Sequence, residues 1–471
     1  MEIIILFITL LTTGALSFFA KKTRTAGLIT FWGQVLAAFF ALLLCFKITG
    51  DGPVSLFGFF YADALSAFFL FLISISSVSS AFYSKWYFKD EENTGFYNAL
   101  FNLFVFSMYL VVTVNNLGML WVAVEITTLA SAFLVGYRNN KTSVEAAWKY
   151  IIICSVGITL ALFGIILLSY TATADAGIKS LNWTELNAKA NVFNPMVVKA
   201  AFIFIVVGFG TKAGLAPMHN WLPDAHSEGP TPISAVLSGL LLNVALYALV
   251  RCKSLVDGST GTHLAGNMMI GFGLLSLLVA SFSLLRQKDI KRLFAYSSIE
   301  HMGIATFAFG LGGPIATFGG MLHMLVHSLT KSAVFYSVGH ASQMHGTQEM
   351  TRIRGLIRGN PPVGWGLLLG VMALAGMPPF GLFASEFLIL TATIKQMPLL
   401  TPLLLIGLAV AFAGLFRRVQ PMVAGLIPSW QKPLVAANIP VALHLALVLL
   451  LGIYIPGFLA TWFQAAVMLL K

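Results

Sequence analysis

The chain has 471 residues, 58% of them hydrophobic and only 10% charged, with a mean hydropathy of +0.87. A soluble domain carries about 25% charged residues, so this composition cannot cover a water-facing surface; an ordinary soluble enzyme, a nucleic-acid-binding module and a disordered chain are excluded. The net charge of +11, from 28 Lys and Arg against 17 Asp and Glu, is spread over short loops, the pattern of basic loops on one side of a membrane rather than a basic patch for nucleic acid.

Apolar runs fall at 2–19, 26–46, 59–82, 97–114, 117–136, 149–170, 196–216, 232–250, 265–285, 293–311, 315–340, 364–390, 398–418 and 434–464. Roughly 20 apolar residues span one bilayer core, so these runs predict an all-α polytopic membrane protein with about fourteen transmembrane helices. The ten-residue alternation of a membrane β-barrel is absent. The first run lacks a basic leader and a small-residue cleavage site and reads as a membrane helix. The longest loop, about 171–195, carries Asp175, Lys179, Glu185 and Lys189 and is polar enough to lie outside the membrane. Eighteen Lys and Arg follow odd-numbered spans and eight follow even-numbered spans or end the chain. This predicts cytoplasmic odd loops and both termini on the outer side.

Two spans look broken. The seventh contains Gly208, Gly210, Gly214 and Pro217 around Lys212, and the twelfth contains Gly376, Pro378, Pro379 and Gly381 before Glu386. Gly and Pro interrupt the backbone hydrogen-bond ladder, which a membrane tolerates where the freed groups line a cavity. Breaks five spans apart suggest an internal repeat of five helices; Gly and Pro are also simply common in membrane helices.

Ionisable groups at depth cost about 2.5–3.5 kcal/mol each on insertion scales, so they point to function. They are Glu125 in the fifth span, Lys212 at the seventh-span break, Glu386 after the twelfth-span break, and His323, His327 and Lys331 at four-residue spacing along the eleventh. Asn243 is central in the eighth. Acid, base and imidazole in several spans are what a proton relay needs. Each has another reading. Glu125 and Lys212 could be a structural ion pair, and Asn243 could bridge helices. The histidines could be hydrogen-bonded core residues, or a metal pair for which no third ligand is evident. Asp63 and Glu300 lie close enough to span ends to be solvated. Cys45, Cys154 and Cys252 are far apart, without a CxxC, and neither GxxxxGK[ST] nor GxGxxG opens a nucleotide site. No metal and no cofactor is expected in the chain itself.

The run from Gly210 to His226, the stretch from Asp289 to Gly303, the His323/His327 helix and Ser385-Glu386-Phe387 closely resemble the antiporter-like proton-pumping subunits of respiratory complex I, Mrp-type cation/proton antiporters and membrane-bound hydrogenases. The stretches Glu125–Ala130 and Leu241–Ala248 look most like hydrogenase-4 component F of formate-hydrogenlyase-type complexes. The resemblance implies two inverted five-helix repeats, each with a broken helix. It divides the chain into three N-terminal membrane helices (1–96), a first repeat (97–250), a second repeat (265–418) and a C-terminal membrane helix (434–471). It also implies roles: Glu125 tunes Lys212, the central carrier; His323, His327 and Lys331 bridge to the second half-channel; Glu386 is the terminal exchange site. Complex I relatives usually have lysine where this chain has Asn243, which cannot titrate, so water has to fill that step. No long lateral helix follows the last span.

The function so implied is proton translocation within a membrane-bound oxidoreductase complex. Nickel–iron and iron–sulfur centres would reside in peripheral partner subunits, other membrane subunits would flank the chain, and protons, or alternatively Na+, would be the coupling ion. The alternatives are a cation/proton antiporter component without a redox partner and a non-pumping membrane scaffold.

Overall fold

A computed structural model describes residues 1–425 and 435–470. Its helices are α1 (Glu2–Phe19), α2 (Thr23–Asp51), α3 (Ala64–Tyr87), α4 (Gly95–Thr113), α5 (Leu117–Val135), α6 (Lys141–Ala176), α7 (Trp183–Ala188), α8 (Pro195–Lys212), α9 (Trp221–Glu228), α10 (Thr231–Val236) and α11 (Leu242–Thr260). There follow α12 (Leu264–Leu284), α13 (Ile290–Leu311), α14 (Gly313–His345), α15 (Leu356–Gly359), α16 (Pro361–Leu374), α17 (Gly381–Gln396), α18 (Thr401–Ala424), α19 (Ile439–Ile453) and α20 (Gly457–Leu469). Among the described residues the only sheet is one antiparallel hairpin, β1 (Val54–Leu56) with β2 (Phe60–Ala62), pairing Ser55 with Tyr61.

The protein is an all-α polytopic membrane protein. Among the described residues ten helices are long and apolar enough to cross a membrane, with α10–α11 as one, and α19–α20 makes an eleventh if that bent pair is one span. The remaining predicted spans correspond to α13, α14 and the pair α16–α17. The first two are long but carry buried Lys, Glu and His, and the last is cut into two short halves. The third span starts later than its apolar run suggests. Residues 60–62 belong to the hairpin, and Asp63 caps α3 by accepting from the Ser66 N–H at 3.1 Å. The fourteenth is not straight: α19 and α20 meet at 76° across Tyr454–Pro456, where Pro456 removes a donor and pushes its predecessor out of helical geometry. Residue 434, the start of the predicted C-terminal segment, and Lys471 lie outside the described residues.

The two five-helix units share one packing scheme. In the first, α6 packs against both halves of the broken span, α8 and α9; in the second, α14 packs against both α16 and α17. An offset of five, an odd number of crossings, makes the second unit run opposite to the first. Each unit contains a helix pair in close backbone approach. A Cβ on Gly208 of α8 would lie 2.6 Å from the Gly157 carbonyl of α6, and one on Gly303 of α13 would lie 2.7 Å from the Gly273 carbonyl of α12. Small residues let membrane helices pack this tightly. The seam between the units is α10–α11, buried continuously from Thr231 to Cys252, whereas α18 faces mostly outward.

Candidate functional site

Both breaks follow the same local rule. After Lys212 and after Leu374 the chain turns through a glycine in the left-handed region, Gly214 at φ +76° and Gly376 at φ +63°, where a Cβ would be strained. Each turn leaves helix-end groups needing partners. The Thr211 carbonyl accepts from the Trp221 indole at 2.9 Å, and the Ala216 N–H donates to Ser276 Oγ at 2.9 Å.

In the first unit the fully buried Lys212 ends α8, where the helix dipole favours a cation. Its ammonium donates to Thr128 Oγ1 at 2.9 Å and to the Tyr150 hydroxyl at 2.5 Å. It lies 4.6 Å from the centre of the Tyr150 ring, which stacks on Trp221. The Tyr150 and Ser131 hydroxyls are 2.7 Å apart. Glu125 is half-buried. One carboxylate oxygen accepts from Ser155 Oγ at 2.8 Å and the other is buried without a partner. Glu125 and Lys212 form no direct ion pair, which removes the simple structural-pair reading. Thr128, one turn along the same face of α5 from Glu125, receives the lysine instead.

The second unit gathers more groups. His323 of α14 joins two helices, with Nε2 3.2 Å from His301 Nδ1 on α13 and Nδ1 3.0 Å from Ser385 Oγ on α17. The ring of His327 lies 5.2 Å from that of His301, and its Nε2 has no partner. Glu300, next to His301, has Oε2 4.0 Å from His301 Nε2. Lys331 is fully buried and donates to the Phe294 carbonyl at 3.0 Å. Glu386 packs on the break itself, its carboxylate against Gly376, with Oε1 buried and unpartnered. His301, His323 and Glu386 each present one ligand-type atom, and these lie within 4.8 Å of one another.

The seam links the two. Asn243 is buried directly after a π-helical turn, Leu237–Leu241, the kind of bulge found often at functional sites. Its Nδ2 donates to the Gly239 carbonyl at 2.7 Å, while Oδ1 has no partner. Ser238 meets Ser298 of α13 at 2.6 Å and Ser76 meets Ser328 of α14 at 3.1 Å. His226 of α9 is buried with both ring nitrogens unpartnered, its ring stacked on Phe335, within electrostatic reach of Lys331 and Lys291.

Thus Lys212 and Glu125 share one compartment, while His323, His327, Lys331 and Glu386 share another; Asn243 lies between them. Sequence reasoning missed three participants, Glu300, His301 and Tyr150, and one buried ion pair outside the clusters. Glu300 is 2% exposed, because α13 starts at Ile290 and places it more than two turns inside the helix. Asp63 is likewise buried, in a two-pronged ion pair with Arg251 at 2.5 and 2.6 Å, beneath Trp183. His301 was legible as the neighbour of Glu300. Tyr150 carries no sequence signal, since a tyrosine near a span end is ordinary. The long Gly210–His226 stretch also ties the two units together, because its Asp224 accepts from Lys149 of α6 at 3.3 Å and from Arg292 of α13.

Residues 114–416 match the family described as NADH:quinone oxidoreductase/Mrp antiporter, TM. The chain is 43% identical over 457 residues to a hydrogenase-4 component F homolog of Methylacidiphilum infernorum (isolate V4), covering 94% of this chain and 95% of that protein. Hydrogenase-4 component B of Escherichia coli (strain K12) is 31% identical over 69% of this chain and 49% of its own length. A chain in the structure of the membrane-bound sulfane sulfur reductase (MBS), an archaeal respiratory membrane complex, superposes with a TM-score of 0.89 at 24% identity over 99% of this chain and 96% of that one, a likeness of fold. The protein belongs to the NADH:quinone oxidoreductase/Mrp antiporter transmembrane family, and its relatives are components of multi-subunit membrane complexes.

Proposed function

We propose that the chain is the proton-translocating membrane subunit of a hydrogenase-4-type oxidoreductase complex, in which redox chemistry elsewhere drives protons through the two compartments. The observation that carries this reading is the pair of buried ionisable clusters, one per repeat, each built at a helix break and joined through a seam of hydroxyls and Asn243. Moving one proton against about 150 mV takes roughly 3.5 kcal/mol in total, so the shifts of proton affinity along the path must together supply that amount. At Lys212 the shift is local. Closing or opening the gap between the Glu125 carboxylate and the ammonium changes how well the positive charge is supported. Tyr150 and Thr128 hold the ammonium while the carboxylate is away. Across the seam, water at Asn243 carries the proton where no titratable group stands. His323, His327, His301 and Glu300 then offer sites close enough for exchange, and Glu386 at the second break hands it on.

The finer reading places nickel–iron and iron–sulfur centres in peripheral partners of a formate-hydrogenlyase-type assembly, in a prokaryotic inner membrane with the basic Arg286–Arg292 loop in the cytoplasm. Impermeant labelling of a cysteine placed in that loop in intact cells tests the orientation; labelling from outside reverses it. Donor-driven acidification of inverted vesicles, normalised to assembled complex, tests the transport reading. Full acidification by Lys212→Ala leaves a scaffold role, and Na+-dependent proton flux without a redox donor identifies an antiporter component.

A further inference from the structure

We propose that His301, His323 and Glu386 form a binding site for a divalent transition-metal ion of the zinc class, contributed by α13, α14 and α17. The sequence offers only the His323/His327 spacing, and no third ligand is visible there. Folding replaces that pair: His301 comes from another helix, and Glu386 supplies the third ligand from beyond the twelfth-span break. The separation fits. Zn–N bonds of about 2.0–2.1 Å in tetrahedral geometry put two ligand nitrogens about 3.3 Å apart, and His301 Nδ1 and His323 Nε2 are 3.2 Å apart. All three ligand atoms lie within 4.8 Å of one another.

The surroundings are those a bound metal needs. A ligating imidazole directs its other N–H to a carboxylate or another acceptor, which fixes the ring. For His323 that acceptor is Ser385 Oγ at 3.0 Å, itself oriented by donating to the Leu382 carbonyl at 2.8 Å. His301 Nε2 is buried without a hydrogen-bond partner, with a carboxylate oxygen, Glu300 Oε2, 4.0 Å away, too far for a hydrogen bond but of the right kind to orient the ring on a small shift. Glu386 Oε1 is buried without a partner, a carboxylate oxygen left without the hydrogen bond that buried polar groups usually make. Two imidazoles and a carboxylate with a position left open form a ligand set used by zinc proteins. His327 has Nε2 buried and unpartnered, and its ring is 5.2 Å from that of His301.

Occupancy ties α13, α14 and α17 together and takes the lone pairs through which the second compartment exchanges protons. This consequence rests on the proposed transport function; the site itself does not. The test is zinc binding to the whole metal-stripped complex in membranes, read by equilibrium binding and zinc-edge X-ray absorption. Wild type is expected to bind one zinc with two nitrogen and at least one oxygen ligands, and His301→Gln and Glu386→Gln to lose it. Ser385→Ala, which removes one hydroxyl, is expected to weaken binding about 10- to 100-fold, so the outcome does not hang on variants that fold poorly. Equal binding by wild type and all three variants, or an all-oxygen spectrum, overturns the site. Zinc bound at the site with proton transport undiminished leaves the site standing and overturns the relay reading of this cluster.

Discussion

The two repeats solve one backbone problem in the same way and then diverge in chemistry. Each breaks its fourth span through a left-handed glycine, and each sets an ionisable side chain at the break. In the first, Lys212 stands before the break and is held by two hydroxyls and an aromatic face, with its carboxylate a turn away. In the second, Glu386 stands after the break; His301 lies 3.2 Å from His323 and 4.0 Å from Glu300, with the His327 ring 5.2 Å from its own, and Lys331 follows His327 one turn further along α14. A lone cation whose support depends on one distant acid suits a switch. A crowd of exchangeable groups suits a store with many exits. In this chain the two repeats share where a helix opens and differ in what is placed in the opening.

The largest test of this contrast is to remove the first cluster's single carrier. Lys212→Ala should abolish proton translocation while assembly, measured by immunoblot of the complex, is retained. Lys212→Arg should fail equally, because guanidinium keeps its proton in proteins. Transport by either variant removes the distinction between switch and store. In the second cluster one loss should be partly absorbed. His301→Gln is expected to slow acidification roughly tenfold, about the effect of losing one buried hydrogen-bonded link worth about 1.4 kcal/mol, and abolition would mean that the histidines act as a single file.

Tyr150→Phe removes one of the two hydroxyls on Lys212. A several-fold slowing is expected, with Glu125→Asp retaining partial activity, since both keep the lysine and alter only its support. At the seam, Asn243→Leu should impair transport by drying the path, whereas Asn243→Lys should be tolerated. Wild-type transport by the leucine variant would reduce Asn243 to a link between helices. The smallest effect on transport is expected at Asp63, which stands in neither cluster. Asp63→Asn leaves Arg251 buried without its counter-charge and should cost about 3–5 kcal/mol of stability, seen as an earlier thermal transition of the solubilised complex, with little change in rate per assembled complex.

Much of this was legible in the sequence because the bilayer restricts what a chain can do. Apolar runs of the right length have to be helices, so the all-α class and the order of the apolar segments followed from composition and spacing. Charges at depth are costly, so Glu125, Lys212, Lys331 and Glu386 stood out. The breaks were visible because Gly and Pro act locally. What the sequence could not reveal are relations between helices. Glu300, read as solvated, is inside because α13 extends beyond its apolar run, and Asp63, also read as solvated, is inside because Arg251 of α11 reaches it with a two-pronged ion pair. Periodicity along one helix paired His323 with His327, whereas the crossing of α13 over α14 pairs His323 with His301. The hydroxyls around Lys212 come from Thr128 and Tyr150, 84 and 62 residues away in the chain. Hydrophobic length is a property of each segment and is written in order; the partners of a buried charge depend on how segments pack, and only the tertiary structure decides them.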